Sequence, residues 1–209
     1  HNKGHHARVA TPEDPASARY GESFFAFLPR TLVGSFVDAW RIERERLARA
    51  RRGASHPSNR LIWLLLAAAA YPLLLGAAFG GGAVAFWVLQ AASAVALLEL
   101  VNYVEHYGLE RRRGPDGRWE RVRHEHSWNS SHRVGNWLLF NLQRHSQHHA
   151  NVTRRWEELE HAPDAPQLPA SYATMVLLAL VPPLWRRVVH PRLAPWRGSV
   201  PFSALRKGD

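Results

Sequence analysis

LIWLLLAAAAYPLLLGAAF, from Leu61 to Phe79, is followed by a glycine triplet at 80–82 and then by AVAFWVLQAASAVALLELV, from Ala83 to Val101. No Asp, Glu, Lys or Arg occurs between Leu61 and Leu98. Each arm is 19 residues long; as a helix it measures roughly 28 Å, close to the hydrocarbon thickness of a bilayer. Three consecutive glycines are a turn signal between two helix-length apolar runs. The stretch therefore predicts a helical hairpin of two transmembrane spans. Its alternative is a hairpin buried in the core of a globular protein, and the two differ in whether protein covers the arms.

Two spans joined by a short turn return the chain to the side it left. The flanks on that side, Arg41 to Arg60 and Arg111 to Arg123, are both strongly basic. The positive-inside rule places them, and with them the remainder of the chain, on the cytoplasmic side. The whole sequence carries 27 Lys and Arg against 17 acidic residues, a formal charge of +10. Such a charge suits lipid headgroups, an acidic protein or nucleic acid; two spans speak against nucleic acid. The mean hydropathy of −0.31 reflects long polar segments on either side of the hairpin.

Outside the hairpin the organisation is helical. Asp38 to Arg52, dense in Arg and Glu with Trp40, Ile42 and Leu47 as its apolar positions, predicts a solvated linker helix. Gly114-Pro115-Asp116-Gly117 predicts a tight turn between basic arms. Ser171 to Trp185 is apolar, but its length of about 15 residues and its Pro182-Pro183 pair suit an interfacial segment better than a third span. The expectation is an all-α integral-membrane fold forming one domain over 1–209. It comprises a histidine cluster and cytoplasmic helices at 1–60, the transmembrane hairpin at 61–106, and a histidine-rich region with the interfacial segment at 107–209. The chain opens on His1 with no signal peptide, and is expected to begin mid-protein.

With no cysteine, any metal must rest on imidazole or oxygen. Histidine is abundant, at 13 residues. His1, His5 and His6 form H-x3-HH, and His145, His148 and His149 form H-x2-HH; on a helix these spacings set imidazoles on one face. His106 closes the second span, on the same side as both clusters by the hairpin argument, with Glu105 beside it as a bridging or supporting carboxylate. Residue types alone leave iron, copper, zinc and nickel open. Seven convergent histidines exceed what a closed structural zinc needs, which points to a pair of redox metals that activates dioxygen. The sequence has neither a G-x-S-x-G elbow nor a phosphate-binding glycine loop.

Longer phrases carry a resemblance. HNKGHHARVATPEDPASAR (1–19), NYVEHYGL (102–109), HEHSWNSSH (124–132) and LQRHSQHHANVTRR (142–155) resemble the membrane alkane hydroxylases. PQLPASYATMVLLALVPPLW and HPRL extend the likeness to about Leu193. It implies a six-span helical fold of a bacterial inner (cytoplasmic) membrane, with a di-iron centre on the cytoplasmic side. It also implies hydroxylation of linear alkanes to primary alcohols, with O2 as co-substrate and electrons from rubredoxin and its reductase. Carried over position by position, the iron ligands are His1, His5, His6, His106, His145, His148 and His149. The family has a further upstream H-x3-H pair on a preceding span, so the 209 residues alone are expected to be inactive. Two departures stand out: Lys3 where arginine is common, and Gln147 where the family has an acidic residue. A desaturase or an aryl-methyl hydroxylase is the neighbouring reading, and a non-catalytic metal-binding membrane module the more distant one.

Overall fold

The computed structural model describes residues 2–196 and divides the chain into two compact units. One runs to Thr31 and resumes at Glu99; the other is Leu32–Leu98. Among the described residues the secondary structure is helical, with two isolated β-bridges and no strand.

The hairpin dominates the second unit. Helix α3 (Arg60–Phe79) begins behind Asn59, whose side-chain oxygen accepts hydrogen bonds from the backbone N–H groups of Leu61 and Ile62 at 3.0 and 3.4 Å. This N-cap satisfies donors that have no partner within the helix. The helix ends at Gly80, whose φ of +81° is open to glycine at little cost. Helix α4 (Gly81–His106) follows directly. The arms approach at Gly76, where an added Cβ would come within 3.0 Å of Val84 Cγ2, and the rings of Tyr71 and Trp87 pack 6.1 Å apart.

No residue of α3 is buried, and Leu73 and Phe79 are 73% and 75% exposed. A hairpin in a globular core is covered by protein, and none of the described residues covers these arms, which favours the membrane reading. An apolar surface of this extent is stable only against lipid or other apolar helices. The mean hydropathies of 2.1 and 2.0 for α3 and α4 agree. The chain is an all-helical membrane protein with two candidate spans.

Helix α2 (Phe24–Arg49) starts well before the helix predicted from Asp38. The charge pattern marks only its C-terminal half; the apolar half includes Pro29, which reads as a breaker but lies inside the helix. Its polar half ties down the loop before α3. Arg46 pairs with Glu43 at 2.7 Å and donates to the Ser58 carbonyl at 2.6 Å, while Glu43 accepts from the Arg60 N–H at 2.7 Å.

The first unit has its own core. Tyr103 from the last turns of α4 and Tyr107 just past its end pack with Phe27, Trp128 and Trp185. The Ser171–Trp185 stretch divides into two helices, α7 (Tyr172–Ala179) and α8 (Pro182–Leu193). Tyr172, Met175, Trp185 and Val189 turn into this core, whereas Leu177, Val181 and Leu184 stay exposed. The predicted 114–117 turn forms, with Gly117 at φ +75° and an antiparallel bridge between Arg113 and Trp119. Arg111 departs from a purely surface role: its side chain donates to the Glu120 and Ala7 carbonyls at 2.8 and 3.1 Å, fastening this excursion to the N-terminal segment.

Candidate metal centre

The end of one long helix and two short helices converge in the first unit. Helix α4 supplies Glu105 and His106 in its final turn, helix α1 (His5–Arg8) supplies His5 and His6, and helix α6 (His145–Ala150) supplies His145, His148 and His149. His145 and His149, at i and i+4, share the inward face of α6; their Nε2 atoms lie 2.9 Å apart. His145 Nε2 is 3.2 Å from His106 Nε2 and 3.2 Å from Glu105 Oε2. The His5 ring lies 4.7 Å from that of His106 and 4.9 Å from that of His149. The ligand-capable atoms of His5, His106, His145 and His149 all fall within 4.8 Å of one another, and all four residues are buried.

His6 and His148 form an outer pair, less buried, with ring centroids 4.9 Å apart; His6 also packs 4.5 Å from His149. The structure thus gathers six of the seven sequence-predicted histidines in two tiers. His1 lies outside the described residues. The helix over the first cluster is shorter than its spacing suggested, since the turn starts only at His5.

The crowding around His145 is informative. Its Nε2 makes one hydrogen bond in the ring plane, either given or received, yet three polar atoms stand within 3.2 Å of it. At most one contact is satisfied that way. His145 Nδ1, His149 Nδ1 and Glu105 Oε1 are buried with no hydrogen-bond partner among the described residues. The crowded Nε2 atoms cannot all be satisfied by hydrogen bonds among themselves, whereas a cation amid the imidazoles converts the facing lone pairs into ligands. Metal–nitrogen bonds of about 2.1 Å place neighbouring ligand atoms about 3 Å apart. The donor set fits a metal ion.

Burial, then the neighbouring His148 and His5, holds His6 down to about 4. Burial is also the main reason that His145, His148 and His149 are lowered, reinforced in each by nearby imidazoles. His6, His145, His148 and His149 are therefore neutral near pH 7 and ready to ligate. The unfolded chain, whose histidines titrate near 6.5, binds more protons as pH falls. Stability from the neutral cluster is complete above that value and is lost below it, for His6 between about 6.5 and about 4. The melting temperature of metal-free protein is expected to fall from pH 7 to pH 4.5, and His6→Ala should flatten the slope.

Residues that the histidine pattern did not flag fix the cluster in place. Trp128 N–H donates to the Glu105 carbonyl at 2.8 Å, and Ser127 Oγ lies 3.4 Å from His106 Nδ1, so the HEHSWNSSH phrase packs behind the end of α4. Gln143 Oε1 accepts from the Tyr172 N–H at 2.6 Å, seating the approach to α6 on α7. Gln147, where a carboxylate was expected, accepts from the Glu160 N–H and so anchors a loop. Asp14 Oδ2 lies 2.8 Å from His5 Nδ1. A second acidic group, Glu120, Glu125 and His126, is internally satisfied: His126 Nδ1 accepts from the Arg123 N–H at 2.9 Å and its Nε2 donates to Glu120 at 3.1 Å.

Comparison with known proteins agrees with this geometry. Alkane 1-monooxygenase 2 of Pseudomonas aeruginosa is 50% identical over 193 residues, 92% of this chain and 51% of the relative. Alkane 1-monooxygenase of Acinetobacter baylyi is 45% identical over 193 residues, 92% of this chain and 47% of the relative. The xylene/toluene monooxygenase hydroxylase component XylM of Pseudomonas putida is 30% identical over 199 residues, 94% of this chain and 52% of the relative. The chain spans about half the length of the curated relatives it matches. The model of the fatty acid desaturase family matches residues 1–179, both histidine clusters and His106 included. Because that match takes in the hairpin and every motif histidine, the chain belongs to the fatty acid desaturase family.

Proposed function

We propose that the full-length protein is an alkane 1-monooxygenase, a di-iron enzyme of the bacterial inner membrane. It inserts one oxygen atom of O2 into the terminal C–H bond of a linear alkane, with electrons from rubredoxin and its reductase, on the cytoplasmic side. The observation that carries this reading is the buried quartet His5, His106, His145 and His149, in a chain 50% identical to an alkane 1-monooxygenase.

The quartet would hold one iron and the outer pair His6 and His148 would contribute to a second, with His1 a further proposed ligand. Bound iron would supply the one-electron and dioxygen chemistry that amino-acid side chains lack. The chain's own residues supply the rest. Neutral imidazoles offer lone pairs without protons to shed. Glu105, whose Oε2 lies 3.2 Å from His145 Nε2, would bind or support the iron there and, once the metal draws off its proton, would add negative charge to a neutral ligand set. An alkane has no polar handle, so its binding relies on an apolar, water-excluding path; the exposed aliphatic faces of α3 and α4 provide such a surface.

XylM, at 30% identity, motivates the neighbouring reading of aryl-methyl hydroxylation. Product analysis separates them. Full-length protein, reduced rubredoxin and O2 are expected to convert a linear alkane to its primary alcohol, and the 209 residues alone to give none. Turnover confined to aryl-methyl compounds, or a double bond as the product, would replace this reading.

A further inference from the structure

We propose that Asp14 is a positioning residue for His5, holding the ring by Nδ1 so that Nε2 is the nitrogen presented to the metal. The inference rests on the metal-centre reading above and extends it to a residue outside the histidine motifs.

The chain folds back on itself to make this contact. After α1, Ala10 adopts a φ of +56°, and successive turns follow: Thr11 N–H to the Arg8 carbonyl at 3.0 Å, Asp14 N–H to Thr11 at 3.1 Å and Ser17 N–H to Asp14 at 3.3 Å. They return Asp14 to His5 at 2.8 Å, with the two residues 2% and 7% exposed. The carboxylate is itself fixed. Ser17 Oγ donates to Oδ2 at 2.7 Å, the Ala16 N–H reaches Oδ1 at 3.3 Å, and Ser17 Oγ accepts from the Ala10 N–H at 2.9 Å. A left-handed residue, a serine and an aspartate thus form one buried brace whose outward product is the orientation of a single imidazole.

Its chemistry selects the tautomer. A carboxylate accepts hydrogen bonds, so the hydrogen in the His5 contact sits on Nδ1 and the ligating lone pair on Nε2. Among the four buried histidines, His5 alone has a carboxylate on its Nδ1 among the described residues. The Nδ1 atoms of His145 and His149 have no hydrogen-bond partner there, and Glu105 approaches His145 at Nε2, the ligand side. A carboxylate behind a ligand imidazole raises its basicity and locks its ring; loss of such partners lowers metal affinity by about 10–100-fold.

The test uses full-length protein in nanodiscs, titrated anaerobically with ferrous iron against a competing chelator. Asp14→Asn keeps the size and one acceptor but removes the charge; iron is expected to bind about 10–100-fold more weakly, with Asp14→Glu recovering part of the loss. In a double-mutant cycle, Asp14→Asn should add little once His5→Ala is present, because Asp14 acts through His5. Affinity within about threefold of wild type, or a full additional loss in the His5→Ala background, overturns the proposal. If Asp14→Asn does not fold, Ser17→Ala is read instead: it should weaken iron binding about threefold or more, and unchanged affinity overturns the proposal. A wild-type protein that takes up no iron defeats the metal-centre reading and this inference together; iron-binding wild type with an unaffected Asp14→Asn variant defeats this inference alone.

Discussion

The alkane hydroxylation proposed for the full-length protein is expected to fall by about a thousandfold or more when His145 is replaced by alanine. His145 is the hub of the cluster, with its Nε2 2.9 Å from His149 and 3.2 Å from both His106 and Glu105. Deleting the ring removes a ligand and also leaves Glu105 buried without its imidazole contact, a costly arrangement for a carboxylate. Iron content and turnover should therefore fall together. His132→Ala is the control: His132 is exposed and stands outside the cluster, so its loss should change turnover by no more than about twofold. A His145→Ala protein that keeps its iron and works at a tenth of the wild-type rate or better would remove His145 from the ligand set.

The second large effect is on folding. Gly108 follows the last turn of α4, where the chain leaves His106, and its φ is +69°. A Cβ there would lie 2.5 Å from Leu193 Cδ2 and 3.6 Å from the Tyr20 backbone, and Leu193 is fully buried. Gly108→Val combines a left-handed β-branched residue, costing about 1–2 kcal/mol, with overpacking at about 1–3 kcal/mol. The expected destabilisation is about 2–5 kcal/mol, read as a loss of folded protein or a lowered unfolding midpoint. Gly117→Ala isolates the first contribution. Gly117 has a similar φ of +75° with nothing within 4 Å of an added Cβ, so about 1 kcal/mol is expected there. Equal losses at the two positions would show that Leu193 yields and that the packing argument fails.

Residues with periodic or compositional signatures were legible in the sequence. The hairpin declares itself through absent charge and a glycine triplet, and His145 with His149 through the helical i, i+4 relation. The exposed α3 surface then favours a membrane over a globular core, which composition alone left open. Other features depend on chain reversal, which carries no such signature. Asp14 sits nine positions after His5, a separation with no regular-structure meaning until a left-handed Ala10 and two turns bring the carboxylate back. The division of the histidines into a buried quartet and an outer pair was hidden for a related reason. His5 and His6 are adjacent in sequence but project to different neighbours, and only the position of α6 tells them apart. The first half of α2 lacked the charged stripe that marked its second half, so the helix was legible only from Asp38.

These features lead from chain to chemistry. A charge-free hairpin sets the protein in a membrane, the last turn of α4 carries Glu105 and His106 into the buried cluster, and two short helices complete it. Burial keeps the imidazoles neutral, and crowded ring nitrogens make a cation the economical way to satisfy them.

The metal content of wild-type full-length protein, purified without added metal and measured by elemental analysis alongside its optical and Mössbauer spectra, decides whether the histidine cluster is an iron centre. About two irons per chain, with spectra of nitrogen-ligated non-haem iron, are expected. Stoichiometric zinc, or a folded protein that takes up no iron when reconstituted with ferrous salt, would contradict the account.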